Sequence, residues 1–190
     1  MPVYLKDIHD FQQLEQFQSV LIVPCRFCPA ANLALRNNDP YFEFFRHLLQ
    51  TAAYERYIET MKSELEKRGV TADIFRSSVP HQFVVCMWTR RRRQHLMRRA
   101  RKYDALVVLG CEAAVQTILD SVDNAPFQVI QGMRTEGIMS ILPRFKWPDS
   151  ITLQLNSVTP LLHQNQGSEP FVPIRSPVLP RRASAPKAAF

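Results

Sequence analysis

The residues able to do chemistry in this chain are four cysteines. Cys25 and Cys28 close the apolar run in "SVLIVPCRFCPAANLAL", Cys86 lies in "FVVCMW", and Cys111 directly follows "DALVVLG". Thiolates are soft anionic ligands, and four of them suit a tetrahedral zinc ion or a four-iron cluster. A Cys-x-x-Cys pair also serves as a redox dithiol, and a free cysteine can simply pack in a core. Arg26 and Phe27 stand inside the pair, where redox motifs more often carry Gly or Pro. Cys86 between apolar neighbours is the cysteine that inert packing would explain most readily.

Position separates these readings, and position depends on the elements. "SVLIVP" is a short β-branched run bounded by Ser19 and Pro24, the pattern of a fully buried strand. "DALVVLG" is the clearest strand, and "CEAAVQTILDSV" reads as a helix starting at its tip. "TADIF" and "HQFVVCMW" are further strand candidates, as are "FQVIQGM", "GIMSIL" and "SITLQL", the last as an edge or hairpin partner. Helices are expected over Leu5 to Phe17, over residues 42–68 ending at Gly69, and from Thr89, as cap, to Tyr103.

Alternating strands and helices predict an α/β fold with a mostly parallel sheet flanked by helices, Rossmann-like or flavodoxin-like. The expected organisation is one domain over residues 1–163 and a disordered, Pro-rich tail over 164–190. Sites in such sheets form at the carboxyl ends of strands, where helix N-termini gather. Cys25, Cys28, Cys86 and Cys111 should then share one rim. The helix starts near Cys28 and Cys111 would favour thiolate there.

The chain has 190 residues and a net charge of +7, and the charge is local. Arg90, Arg91, Arg92, Arg93, Arg98, Arg99, Arg101 and Lys102 fall within thirteen residues that contain no acid. The other 16 basic residues face 17 acidic ones. Leu96, Met97, Ala100 and Tyr103 make the apolar face of that helix, which turns the basic side chains outward. Such a surface suits an acidic protein partner, an anionic membrane face or nucleic acid. Nucleic acid is disfavoured, because only Trp88 and Tyr103 are near enough to stack on bases.

No apolar run reaches the length of a membrane span, and the first residues lack the layout of a signal peptide. A cytoplasmic protein with reduced or metal-bound cysteines is the expectation, with contact to the inner face of a membrane through the basic helix. No Gly-rich phosphate loop occurs. Of the five histidines, His81 is the one nearest in sequence to Cys86, although a loop histidine is the plainer reading. Glu112 reads as a helix N-terminal charge rather than a base.

"VLIVPCRFCPAAN" with "YDALVVLGCEAAVQT" resembles the zinc- or iron–sulfur-containing small subunit, or C-terminal domain, of methylenetetrahydrofolate reductases. The likeness covers roughly residues 19–122. That family carries a third clustered cysteine where this chain has Asn32, and later cysteines that have no counterpart after Cys111. The resemblance therefore implies one centre. It further implies an iron–sulfur or zinc accessory protein beside a flavin-containing reductase, with the folate site on a separate partner.

The expected function is a 4Fe–4S subunit of a redox complex, with Cys25, Cys28, Cys86 and Cys111 as ligands and an electron-transfer or structural task. The alternatives are a non-catalytic, zinc-stabilised assembly protein and a nucleic-acid-binding module.

Overall fold

The computed structural model of the chain describes residues 2–7, 10–43, 51–76, 84–122, 126–146 and 149–161. Among them the backbone forms two four-stranded sheets. The first is parallel: β2 (Ser19–Pro24) lies between β4 (Thr71–Ile74) and β5 (Ala105–Leu109), and β6 (Gln128–Gln131) pairs with the far side of β5. The second is antiparallel, in the order β1 (Val3–Asp7), β7 (Met133–Lys146), β8 (Ser150–Pro160) and β3 (Phe42–Glu43).

The parallel sheet forms as its residue types dictate. In β2 and β5 every residue except Ser19 is buried, which a β-branched apolar strand achieves only between two layers. Val20, Ile22, Val107 and Leu109 face one side, with α2 (Cys28–Asn37) and α3 (Ala52–Lys67). Leu21, Val23, Leu106 and Val108 face the other, beneath α4 (Arg90–Ala100) and α5 (Glu112–Leu119). Each such side chain contributes about 1.5–3 kcal/mol by leaving water.

In chain order the sheet runs second, first, third, fourth, the start of the flavodoxin-like winding. The chain leaves β2 towards β4, then crosses back to β5. The switch point therefore falls between the carboxyl ends of β2 and β5, after Pro24 and Leu109.

Three expected elements differ. Leu5 to Phe17 is not one helix: it holds β1, whose Leu5 points into the core, and the short α1 (Phe11–Glu15) capped by Asp10. The chain is taken into β1 because β7, more than 120 residues later, offers it a ladder. The helix expected over 42–68 begins at Ala52, and its start is replaced by β3, with residues 44–50 outside the described set. It ends as expected at Gly69, whose φ of 82° suits a residue without a side chain.

The third is "HQFVVCMW". Residues 81–83 lie outside the described residues, and the remainder is a 3₁₀ turn, Val85–Met87, closed by Met87 N–H to Val84 O and Trp88 N–H to Val85 O. Here the chain turns from β4 into α4, so Val85 plugs the core while Cys86 is left outside. His9, His47, His81, His163 and the Pro-rich 164–190 segment also lie outside the described residues. No described helix is long and apolar enough to cross a membrane.

Candidate metal centre

The parallel sheet brings the cysteines to one rim. Cys25 leaves the tip of β2 and donates its N–H to Leu109 O at 2.9 Å, so it is pinned to the tip of β5. Cys28 is the first residue of α2, with Pro29 next at the helix start, where a missing N–H is harmless. Cys111 is the N-cap of α5. Cys86 sits on the 3₁₀ turn. Gly110 keeps the approach close, since a methyl there would stand 3.2 Å from Cys25 Cβ and 2.8 Å from Ala114 Cβ.

Cys111 is the hub of this group. It acts electrostatically on Cys25, Cys28 and Cys86 alike, while Cys86 also acts on Cys28, and Cys28 on Cys25. Burial pushes the Cys25 thiol up to about 12, against the opposing pull of the Val85 and Phe27 backbone N–H groups. Burial likewise raises Cys28, and the Val3 backbone N–H opposes it. Cys86 is raised as well, by partial desolvation and then by Cys111. The buried pair thus holds its protons near neutrality, and a bound cation would have to displace them.

Among the described residues, no three His, Cys, Asp or Glu side chains converge closely enough to hold one metal ion. A single zinc draws its sulfurs to about 2.3 Å from a common centre. A four-iron cube takes one sulfur at each of four corners. The donor set fits that group in number and chemical type.

The surroundings hold residues that sequence reasoning passed over. Arg26, inside the Cys-x-x-Cys, is only 8% exposed and grips Glu55 of α3 with two bonds, Nε to Oε1 at 2.6 Å and Nη2 to Oε2 at 3.2 Å. Nothing in the sequence marked Glu55 as its partner. Tyr41 and Tyr54 stand near Cys25, and Tyr41 also near Cys28, their phenols raised by burial and then by those sulfurs. Tyr54 O–H donates to Leu109 O at 3.4 Å, on the strand that carries Gly110 and Cys111.

Asn32, at the position of the resembling family's extra cysteine, is 3% exposed and works as a clamp. Its Oδ1 accepts from Leu5 N–H at 3.0 Å, and its Nδ2 donates to Val3 O and Cys28 O, both at 2.8 Å. Glu112 is fixed rather than free. Burial opposes its ionisation, but donors on Thr135 and Gln131 outweigh it and hold the carboxyl below its ordinary value.

The basic helix needs two corrections. Arg92 does not face outward: it is 8% exposed, lies over the Phe75 and Trp88 rings, and donates from Nη2 to Arg76 O at 3.0 Å. Arg99 is engaged with Asp73 of β4. Arg90, Arg91, Arg98, Arg101 and Lys102 are exposed, as expected, and Arg93 is half-buried. Cys86 is exposed rather than core.

The fold is that of a doubly wound α/β protein, with Cys25 and Cys111 at the strand ends that flank its switch point. Compared with family models, curated proteins and solved structures, the chain matches none.

Proposed function

We propose that this chain is an iron–sulfur accessory subunit of a redox complex, with a 4Fe–4S cluster held by Cys25, Cys28, Cys86 and Cys111. The observation that carries the reading is the placing of Cys25 and Cys111 at the tips of β2 and β5, with Cys28 at the start of α2 and Cys86 on the 3₁₀ turn. A bound cluster there supplies one-electron transfer, or a structural cross-link if its potential is out of range. Cys25 and Cys28 form the floor of the site, and Cys86 its exposed side. The N-termini of α2 and α5 and the N–H groups of Phe27, Val85 and Val3 offset negative charge on the sulfurs. The resemblance to the methylenetetrahydrofolate reductase accessory unit supports a flavin-containing partner that carries the substrate site.

The test is anaerobic purification with metal analysis and visible absorption. Brown protein with about four irons per chain is expected. Cys25→Ser and Cys111→Ser should each abolish the absorption. Colourless protein with one zinc per chain would replace the cluster by a zinc-stabilised assembly role. Unchanged metal content in both variants would remove the shared site altogether.

A further inference from the structure

α4 and the end of α5 leave a groove of about 890 Å³ between them. One wall is a single face of α4, with Arg90, Arg93, Gln94, Met97, Arg98 and Arg101 at the spacing of successive turns. Its floor is apolar, made from Trp88, Met97 and Phe127. A single carboxylate, Asp120, lines it against four guanidinium groups, and Asp120 already accepts from Gln116 Nε2 at 2.7 Å.

The arginines are differently engaged. Arg92 and Arg99 are taken up inside the fold. Arg93 donates from Nε to Trp88 O at 3.1 Å, which holds its guanidinium along the wall. Arg90, Arg98 and Arg101 make no ion pair with any described residue. Unneutralised like charges in one row repel, and a planar guanidinium matches a carboxylate or phosphate with two parallel bonds. The groove is therefore built for an anion with an apolar portion.

We infer that this groove is the docking site for an acidic segment of a protein partner, its carboxylates on Arg90, Arg98 and Arg101 and an apolar side chain on Met97. The inference deepens the proposed function by naming where the redox partner attaches. α4 is roughly 16 Å long, room for three helical turns or five extended residues. Trp88 follows Cys86 by two residues, so the groove begins beside the exposed cysteine of the rim. A segment seated along it brings its own protein to that rim. Nucleic acid fits less well. Trp88 and Phe127 are only 6% and 7% exposed, too little for a base to stack on.

The experiment uses the full chain and fluorescence anisotropy. The probe is a labelled peptide of glutamates flanking a central Leu-Leu. An all-glutamate peptide, a lysine counterpart and a single-stranded oligonucleotide serve as comparisons. The acidic–apolar peptide should bind best. Arg98→Glu with Arg101→Glu should weaken it by on the order of tenfold. Asp120→Asn should strengthen it, a gain that damage to the fold does not produce and that holds the test if the double variant fails to fold.

Unchanged binding in the charge-reversed protein overturns the proposal. So does equal binding of the all-glutamate peptide, or preference for the oligonucleotide. Metal content is read in the same samples. Peptide binding without iron sinks only the cluster, and iron without peptide binding sinks only the groove.

Discussion

At the scale of single residues, the site depends on a side chain that is missing. Gly110 lets the tip of β5 lie against Cys25, with no room for a methyl between Cys25 and Ala114. Gly110→Ala should cost about 1–3 kcal/mol, read by denaturant unfolding, and, on the proposed cluster site, should lower the iron held per chain because Cys25 must give way. The sequence showed Gly110 and Cys111 as a strand end followed by a cysteine. It did not show the contact, because Cys25 is a distant neighbour in the chain. The same distance hid the role of Arg26. Within its motif it looked like a residue that argues against dithiol chemistry. In the fold its burial is tolerable because Glu55 meets it with two bonds.

At the scale of elements, α4 is held to the sheet by ion pairing as well as by packing. Asp73 of β4 takes Arg99 and the Tyr103 O–H, the latter at 2.8 Å. Desolvation alone would raise the Asp73 carboxyl, but those bonds outweigh it and lower it from its ordinary 3.8. A carboxyl depressed in the folded state adds stability above its unfolded pKa, and that stability is lost as pH falls through the folded value. Asp73→Asn should therefore lower the melting temperature modestly at pH 7 and flatten the acid limb below about pH 4, the two proteins converging at the lowest pH. The pair is largely exposed, so its contribution at neutral pH is under about 1 kcal/mol.

Much of α4 was legible, including its Thr89 cap, its extent and its apolar Leu96 and Ala100. The inward turn of Arg92 was not. It depends on Phe75 and Trp88, which supply ring faces from two other segments. The parallel strands were legible because an all-apolar strand needs cover on both faces. The β1 strand was not, since Leu5 to Phe17 satisfies a helical period equally well and only pairing with β7 decides between them. The turn at Val85–Met87 failed for a like reason: β-branched residues suggest a strand, but a strand needs a neighbour.

At the scale of the whole molecule, the two sheets are joined through α2, which packs against α3 and also touches β1 and β8. Asn32 is the polar stitch in that joint, linking Val3, Leu5 and Cys28. Asn32→Ala leaves these backbone groups without their partner and should cost about 2–4 kcal/mol. Hydrogen exchange should show the loss first at the Leu5 amide. If Leu5 stays as protected as in the parent chain, Asn32 does not join the sheets. The placing of Cys25 and Cys111 at the ends of β2 and β5 was the most legible feature of the candidate site. The stitch was not, because the sequence marks Asn32 only as an absent cysteine.

The pairing of β1 with β7 also fixes an order of events during synthesis. Residues 19–131 contain every strand of the parallel sheet, so that sheet has all its parts before β7 exists. Val3–Asp7 are made before every strand of the parallel sheet, yet their ladder partners are Met133–Ile138. Domains tend to form in the order of synthesis as the chain lengthens, and here that tendency is reversed for β1. These residues, made before the parallel sheet, are housed only after it. Until they are, the Asn32 amide and the Cys28 sulfur lack the β1 backbone groups that complete them.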